Sequence, residues 1–171
     1  MKESSILQGV AQKGRVLQVV STTKTDTFSA SVVQGAETAI TGLAATITPS
    51  STSSKIWVVV SVTLGNTASN QAAEYFTMFR DSTAIGRGDA ASTRQRVTGT
   101  GVSSATGNET FSVGGNHLDE PATSSPVTYS VKVSHARAAT TTAYVNRSYL
   151  DADQTFGARA VSSITLMEVA G

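Results

Sequence analysis

Hydrophobic and polar residues alternate along most of this chain with the period of a β-strand. The clearest case is residues 55–64 (KIWVVVSVTL), in which every second residue from Ile56 to Leu64 is apolar. Trp57 and Val59 add apolar side chains on the opposite face. A strand that is apolar on both faces is typical of the centre of a sheet. We therefore predict a central strand here, buried on both sides or covered by a neighbour.

Shorter stretches with β-branched or alternating patterns occur throughout the remaining sequence, separated by turns rich in Gly, Ser, Thr and Pro. No stretch of ten or more residues has helical periodicity. Roughly nine or ten short strands in one chain predict an all-β fold, an antiparallel β-sandwich of jelly-roll type. The segments from which these strands are drawn cover residues 15–21, 27–33, 37–43, 45–48, 55–64, 74–80, the short 84–88, 109–113, 127–135, 143–148 and 162–170. Residues 90–108 are Gly-, Ser- and Thr-rich and predict a long loop.

Residues 1–14 lack the alternation that begins at Arg15. We interpret them as an extended N-terminal arm, and residues 15–171 as one β-sandwich domain. The arm is either an unstructured leader or a segment that orders against a neighbouring subunit. Its apolar residues Ile6, Leu7 and Val10 are the candidates for such a contact.

The composition points to a weakly charged, hydroxyl-rich surface. Charged residues make up 15% of the chain, against about 25% in ordinary soluble domains. Ser and Thr together account for 48 residues. A surface of this kind gives little electrostatic repulsion between copies, which favours packing in an assembly. The net charge of +1 gives no reason to expect nucleic-acid binding, and no apolar run is long enough to predict a membrane span.

Residues suited to catalysis or metal binding are few. The chain has no cysteine, and its two histidines, His117 and His135, lack a nucleophile motif. Asp151 and Asp153, with Asn146, offer fewer oxygens than calcium takes, so a polar turn is the preferred interpretation. The remaining carboxylates form no pair of the kind a glycosidase needs. We predict no catalytic residue, no metal and no cofactor.

The segment from Arg87 to Arg96 carries the remaining candidate binding residues. Arg87-Gly88-Asp89 is an RGD tripeptide, which alone is a weak signal. Arg94 and Arg96 are two residues apart, so both face one way if the loop is extended. They form a candidate ligand loop for an acidic glycan or a subunit carboxylate, with a solvated loop as the plainer alternative.

Several segments together resemble a β-sandwich domain found on the virion surface of tailed bacteriophages, notably cyanobacterial and marine phages. The resemblance covers about residues 15–171, and its most distinctive motifs are TAIGRGDA and ITLMEVAG. Other segments occur in the same order: RVLQVVSTTKTDTFS, TGLAATITPSSTSSKIWVVVSV, LDEPATSSPVTYSVKV and YVNRS. It implies a trimerising sandwich without enzymatic activity, used in capsid decoration (cement) proteins and at fibre tips.

The absence of a fibre stalk before residue 15 favours a homotrimeric decoration protein that stabilises the phage head. Trimer or capsid contacts are then expected at Trp57, Tyr75 and Phe79, and the major capsid protein is the expected partner. Synthesis in the host cytoplasm and a final place on the capsid surface follow. The alternative is a receptor-binding tip of a tail or head fibre, with a host surface glycan as its partner.

Overall fold

A computed structural model of the protein describes residues 13–65, 73–102, 107–136, 140–155 and 157–171. The described residues contain strands and no helix, so none of them forms a helix that could cross a membrane. The strands are β1 Val16–Lys24, β2 Phe28–Val32, β3 Thr38–Ile47, β4 Lys55–Gly65, β5 Ala73–Arg80, β6 Thr83–Ile85, β7 Gly99–Val102, β8 Thr110–Asp119, β9 Val127–His135, β10 Thr141–Val145 and β11 Ser162–Val169.

Two antiparallel sheets form the sandwich. The first has the order β1-β11-β4-β10-β2, with β8 on the other edge of β4. The second has the order β3-β9-β5-β6, with β7 beside β6 along the same edge of β5. If β1 with β2, β6 with β7, and β10 with β11 are each taken as one interrupted strand, eight strands remain. Numbered along the chain, these eight strands have the order 1-8-3-6 in the first sheet and 2-7-4-5 in the second. This is the strand order of a jelly roll, so the predicted fold is confirmed.

The core lies between the sheets and is built by the alternation seen in the sequence. In β4 the side chains of Ile56, Val58 and Val60 are buried, and the next inward positions continue to Leu64. From the second sheet, Phe76, Met78 and Tyr129 pack against them. Because successive residues of a strand point to opposite faces, one continuous core forms where the inward sets of both sheets meet.

Several strand boundaries differ from the prediction, and three of the differences have a structural explanation or alter the strand list. The two strands predicted within residues 37–48 form one strand, β3 (Thr38–Ile47), because a bulge at Gly42 (φ +82°) carries the chain through the irregularity. Strand β7 lies inside the predicted loop 90–108. Strand β8 was predicted to end at residue 113, but it continues past Gly114 and Gly115 to Asp119.

Glycine explains the last two differences, because side chains lie close to the backbone of both strands. In β8, a Cβ atom added at Gly115 would come within 2.9 Å of the Thr98 methyl group. A Cβ atom added at Gly101 would come within 2.1 Å of the Phe111 ring, and one at Gly99 within 2.3 Å of the Phe76 ring. Glycines therefore stand here because the aromatic rings leave no room for a side chain. Such a strand has low β-propensity and escapes prediction from sequence.

The described residues bury β4 on one side only, so covering of its other side by a neighbour stays a prediction. β4 is central in its sheet, between β8 and β11, but Trp57 on its outer face is 42% exposed. The sequence pattern identified the central position correctly, whereas the described residues place no second layer over the outer face.

Candidate interaction surfaces

The outer face of the first sheet carries a line of apolar side chains across four strands. Val19 of β1 is paired with Met167 of β11, Met167 with Trp57 of β4, and Trp57 with Leu118 of β8. Paired residues of neighbouring strands point to the same face. These four residues, called here the apolar row, thus run perpendicular to the strands over about 14 Å, at about 4.8 Å per strand.

Three of the four side chains are well exposed. Val19 is 57%, Leu118 48% and Trp57 42% exposed, while Met167 is half-buried. Exposed apolar side chains are common singly, but a contiguous group with a large aromatic at its centre marks an interaction site. The apolar row therefore has the character of a contact surface.

The described chain enters the fold beside this row. The Gly14 amide donates to the Ala170 carbonyl (2.8 Å), so Gly14 extends the β1 edge. Gly14 and Val16 line one shallow groove with Trp57 and Leu118. The candidate residues Ile6, Leu7 and Val10 lie outside the described residues. Gly14, the last residue of the predicted arm, thus lies next to the apolar row.

Polar side chains flank the row on both sides. On one side the Lys55 ammonium donates to the Glu120 carboxylate, 2.6 Å away, and this hydrogen bond holds the pKa of Glu120 below its usual range. On the other side the Ser21 and Thr165 hydroxyls are hydrogen-bonded at 2.9 Å. An apolar centre within a polar rim is the usual arrangement of a protein interface.

The outer face of the second sheet is different. β9 presents Ser and Thr there with Lys132, whose ammonium lies 3.7 Å from the centre of the Phe79 ring. Phe79 is only 5% exposed, and its neighbour Thr77 is fully buried although it faces outward. The loop formed by residues 86–98 also lies on this face, where it lines one groove with Ser134 of β9 and brings Gln95 to the β2–β3 turn at Gly35.

Hydrogen bonds fix the covering loop at both ends. The Thr98 hydroxyl accepts from the Met78 amide (3.0 Å) and donates to the Ile85 carbonyl (3.4 Å). Further out, the Gly88 amide donates to the Val97 carbonyl, and Arg96 Nε donates to the Gly88 carbonyl (2.7 Å). The loop therefore has a defined shape rather than hanging free in solvent.

An open groove separates this loop from the β2–β3 turn. Its larger part, about 710 Å³, is lined by Tyr75, Arg94 and Gln34 among others. An adjoining part of about 280 Å³ is lined by Arg87 and Arg96. The structure thus places both residues of the predicted ligand loop on one groove, together with Tyr75, which the sequence had suggested as a trimer contact.

The candidate contact residues are therefore divided between the two faces. Trp57 is exposed at the centre of the apolar row, and Tyr75 is half-buried in the arginine-lined groove. Phe79 lies beneath Lys132 and has little surface to offer a partner. Their role in a trimer stays a prediction. Val19, Leu118 and Met167 were not among the sequence candidates, although the outward apolar positions of RVLQVV could have suggested Val19.

His117 and Asp119 are held in a structural network between the two sheets. Arg80 Nη1 donates to both Asp119 oxygens (2.9 and 3.1 Å), and the Tyr129 hydroxyl donates to Oδ2 (2.7 Å). Burial and the bond to this carboxylate raise the pKa of Tyr129 far above its usual value. His117 Nε2 lies 4.0 Å from Asp119. Asp119 belongs to β8 of the first sheet, whereas Arg80 and Tyr129 belong to β5 and β9 of the second, so these hydrogen bonds join the two sheets.

The other polar candidates also have local structural partners. His135 is buried, with Nε2 2.9 Å from the Val32 carbonyl oxygen. Asp151 is flanked by the guanidinium groups of Arg159 (2.8 Å) and Arg147 (3.4 Å), which disfavours a bound cation. The buried Asn146 accepts a hydrogen bond from the Ser162 hydroxyl (2.7 Å). Among the residues that the structure describes, no group of acidic or imidazole side chains could hold a metal ion.

Comparisons with known proteins identify no family. No family model matches the sequence, and neither does any curated protein. Among solved structures, that of infectious bursal disease virus Gx strain aligns over 90% of this chain and 37% of its own, with 14% identity and a TM-score of 0.45. The crystal structure of the infectious bursal disease virus VP2 subviral particle aligns over 90% and 38%, with 14% identity and a TM-score of 0.41. This chain thus spans well under half the length of those proteins, and similarity at this level establishes no function.

Proposed function

We propose that this chain is a non-enzymatic virion structural protein, a homotrimeric decoration (cement) protein on the capsid of a tailed bacteriophage. The observation that carries the proposal is the apolar row on the outer face of the first sheet. A surface of this kind needs a protein partner to remove it from water. The resemblance of residues 15–171 to phage virion domains supports the virion setting.

The symmetry of a trimer limits what can cover the row. A row that packs against the same row of another copy gives a two-fold dimer, whereas a ring of three needs two different surfaces in each contact. The N-terminal arm can supply the second surface, because Gly14 lies beside the row and Ile6, Leu7 and Val10 are apolar. We therefore assign the arm of one copy to the row of the next.

The residues of the row are of the right kind for such a contact. Trp is enriched among the side chains that dominate interface energetics, and such anchors each contribute about 2 kcal/mol or more. Contacts repeated three times in a ring reinforce one another, so each can be weak when taken alone. The scarcity of charged residues lowers the repulsion between packed copies.

Binding to phage capsids tests the decoration role. The full chain should bind to undecorated capsids and raise their resistance to heat, and a virion should carry hundreds of copies. Deleting residues 2–13 should leave the sandwich folded and abolish binding. If the truncated protein still decorates capsids at full occupancy, the arm has no part in attachment.

A receptor-binding fibre tip is the second candidate, because the arginine-lined groove could receive a host ligand. Copy number and position separate the two functions. A fibre tip would be present in a few dozen copies or fewer and would lie at the end of a fibre in a virion reconstruction. A decoration protein would be distributed over the head.

A further inference from the structure

Three arginines lie on the same groove of the second sheet. Arg87, Arg94 and Arg96 line its two adjoining parts, and Glu37 is the only carboxylate residue lining either part among those that the structure describes. None of the three arginines forms an ion pair with any carboxylate in the described ranges. In a chain whose net charge is +1, this concentrates positive charge at one place. The groove is therefore suited to an anionic ligand.

The groove is also formed before any ligand arrives. Thr98 fixes the base of the loop, the bond from Arg96 Nε to the Gly88 carbonyl sets the direction of one guanidinium, and Gln34 Nε2 donates to the Ala136 carbonyl (3.2 Å). A preformed site loses less conformational entropy on binding. Its larger part, about 710 Å³, lies in the range of small-molecule sites.

We infer that this groove binds an acidic saccharide, with carboxylate or sulfate groups on Arg94 and Arg96 and a sugar ring against Tyr75. Guanidinium groups bind such anions through paired, charge-assisted hydrogen bonds. The half-buried Tyr75 offers an apolar ring face with a polar tip. The Gln34 and Gln95 amides can both donate and accept, which suits sugar hydroxyls better than the carboxylates of an acidic peptide.

This inference is independent of the apolar row, which lies on the opposite sheet. A decoration protein and a fibre tip could each use such a groove to hold the virion near an acidic cell-surface or mucus polysaccharide. Failure of capsid binding would therefore leave the saccharide site untouched, and failure of saccharide binding would leave the decoration role untouched.

The test uses the full-length protein with defined oligosaccharides in calorimetry. Trigalacturonate and a fully sulfated trisaccharide are the anionic probes, maltotriose is the neutral probe, and a short polyglutamate peptide is the acidic protein probe. Arg94→Gln with Arg96→Gln removes the anion contacts, and Tyr75→Ala removes the ring face. Arg159→Gln is the matched control, since it deletes one exposed arginine outside the groove.

At least one anionic saccharide should bind, and the double arginine variant should weaken it by about tenfold or more. Tyr75→Ala should weaken the same probe, Arg159→Gln should not, and added salt should reduce the affinity. Equal binding of maltotriose, equal or tighter binding of polyglutamate, or binding of neither anionic saccharide would overturn the inference. Unchanged thermal unfolding of each variant shows that the fold is intact.

Discussion

The two sheets bury their inner faces in one core, yet their outer faces have opposite character. The outer face of the second sheet is polar, and the chain covers it with the loop of residues 86–98. The outer face of the first sheet carries Val19, Met167, Trp57 and Leu118 without a covering layer among the described residues. One face is covered in part by the chain's own loop, and the other leaves apolar side chains exposed among the described residues.

Under the proposed function, this difference gives the two faces separate tasks. A face closed by its own loop can carry a ligand groove, since the loop holds arginines at fixed positions without help from another copy. A bare apolar face is suited to permanent contact. In a trimeric decoration protein, the first sheet would then hold the assembly together and the second would face the surroundings.

The largest effect is expected from removing apolar side chains of the apolar row on the first sheet. Trp57→Ser with Leu118→Ser should weaken self-association by about a thousandfold, or about 4 kcal/mol, because two central apolar anchors are lost. Sedimentation equilibrium measures the change. Ser130→Ala, on the outer face of the second sheet, is the matched control and should leave association unchanged. Equal association of the double variant and the control would show that the row is not a contact.

Glu168 holds the inner side of the first sheet and gives the next largest effect. Its buried carboxylate accepts from the Ser50 amide (2.7 Å), the Ser50 hydroxyl (2.6 Å) and the Gln18 amide (2.7 Å). Burial alone would raise the pKa of Glu168, but hydrogen bonds from Ser50, Ser54 and Gln18 outweigh it and lower the pKa to about 2.

Because the folded pKa lies below the unfolded value of 4.5, this stabilisation is present above pH 4.5 and is lost as the pH falls towards 2. It amounts to about 3 kcal/mol at neutral pH. Glu168→Gln should lose most of it at pH 7 and flatten the acid limb of the stability curve in urea unfolding. Asp89→Asn, on the exposed loop, is the control. An unchanged acid limb in Glu168→Gln would refute the assignment.

Asp119 joins the two sheets, so its loss should affect both faces together. Asp119→Asn removes the charge that Arg80 and Tyr129 contact and should cost about 2 kcal/mol of unfolding free energy, since Arg80 remains partly solvated. Chemical denaturation measures it. Asp153→Asn serves as the surface comparison, and a loss no larger than that of this comparison would contradict a joining role.

The smallest effect is expected at Thr98, which fixes the loop of residues 86–98 on the outer face of the second sheet. Thr98→Val keeps the shape but removes the hydroxyl that accepts from the Met78 amide. The stability should fall by about 1 kcal/mol, and hydrogen exchange should speed up in the loop of residues 86–98. Thr93→Val, in the same loop, controls for the substitution. If exchange in the loop is equal in both variants, Thr98 does not fix the cover.

Alternation along the sequence predicted most of the sandwich because strand formation and face selection are local. It placed Ile56 inward and Trp57 outward, and it identified β4 as central. It missed β7, because glycine is required at positions 99 and 101 by the rings of Phe76 and Phe111, which lie in other strands. A residue's own neighbours carry no record of such a contact.

The two surfaces were accessible to sequence reasoning only in fragments. Trp57 and the pair Arg94 and Arg96 stood out by residue type. The apolar row, however, depends on the register that aligns Val19, Trp57, Leu118 and Met167 across four strands. That register is set by packing over the whole sheet, so a pattern read along one strand cannot supply it.

Trp57 is the only tryptophan in the chain, so its fluorescence reports directly on the apolar row. The measurement is the emission and acrylamide quenching of the intact protein, followed by dilution through the range in which sedimentation detects dissociation. If another copy covers the row, Trp57 should be blue-shifted and protected when assembled, and red-shifted and quenchable when monomeric. Emission and quenching that do not change with dilution, whether exposed or protected throughout, would contradict an intermolecular contact at this face.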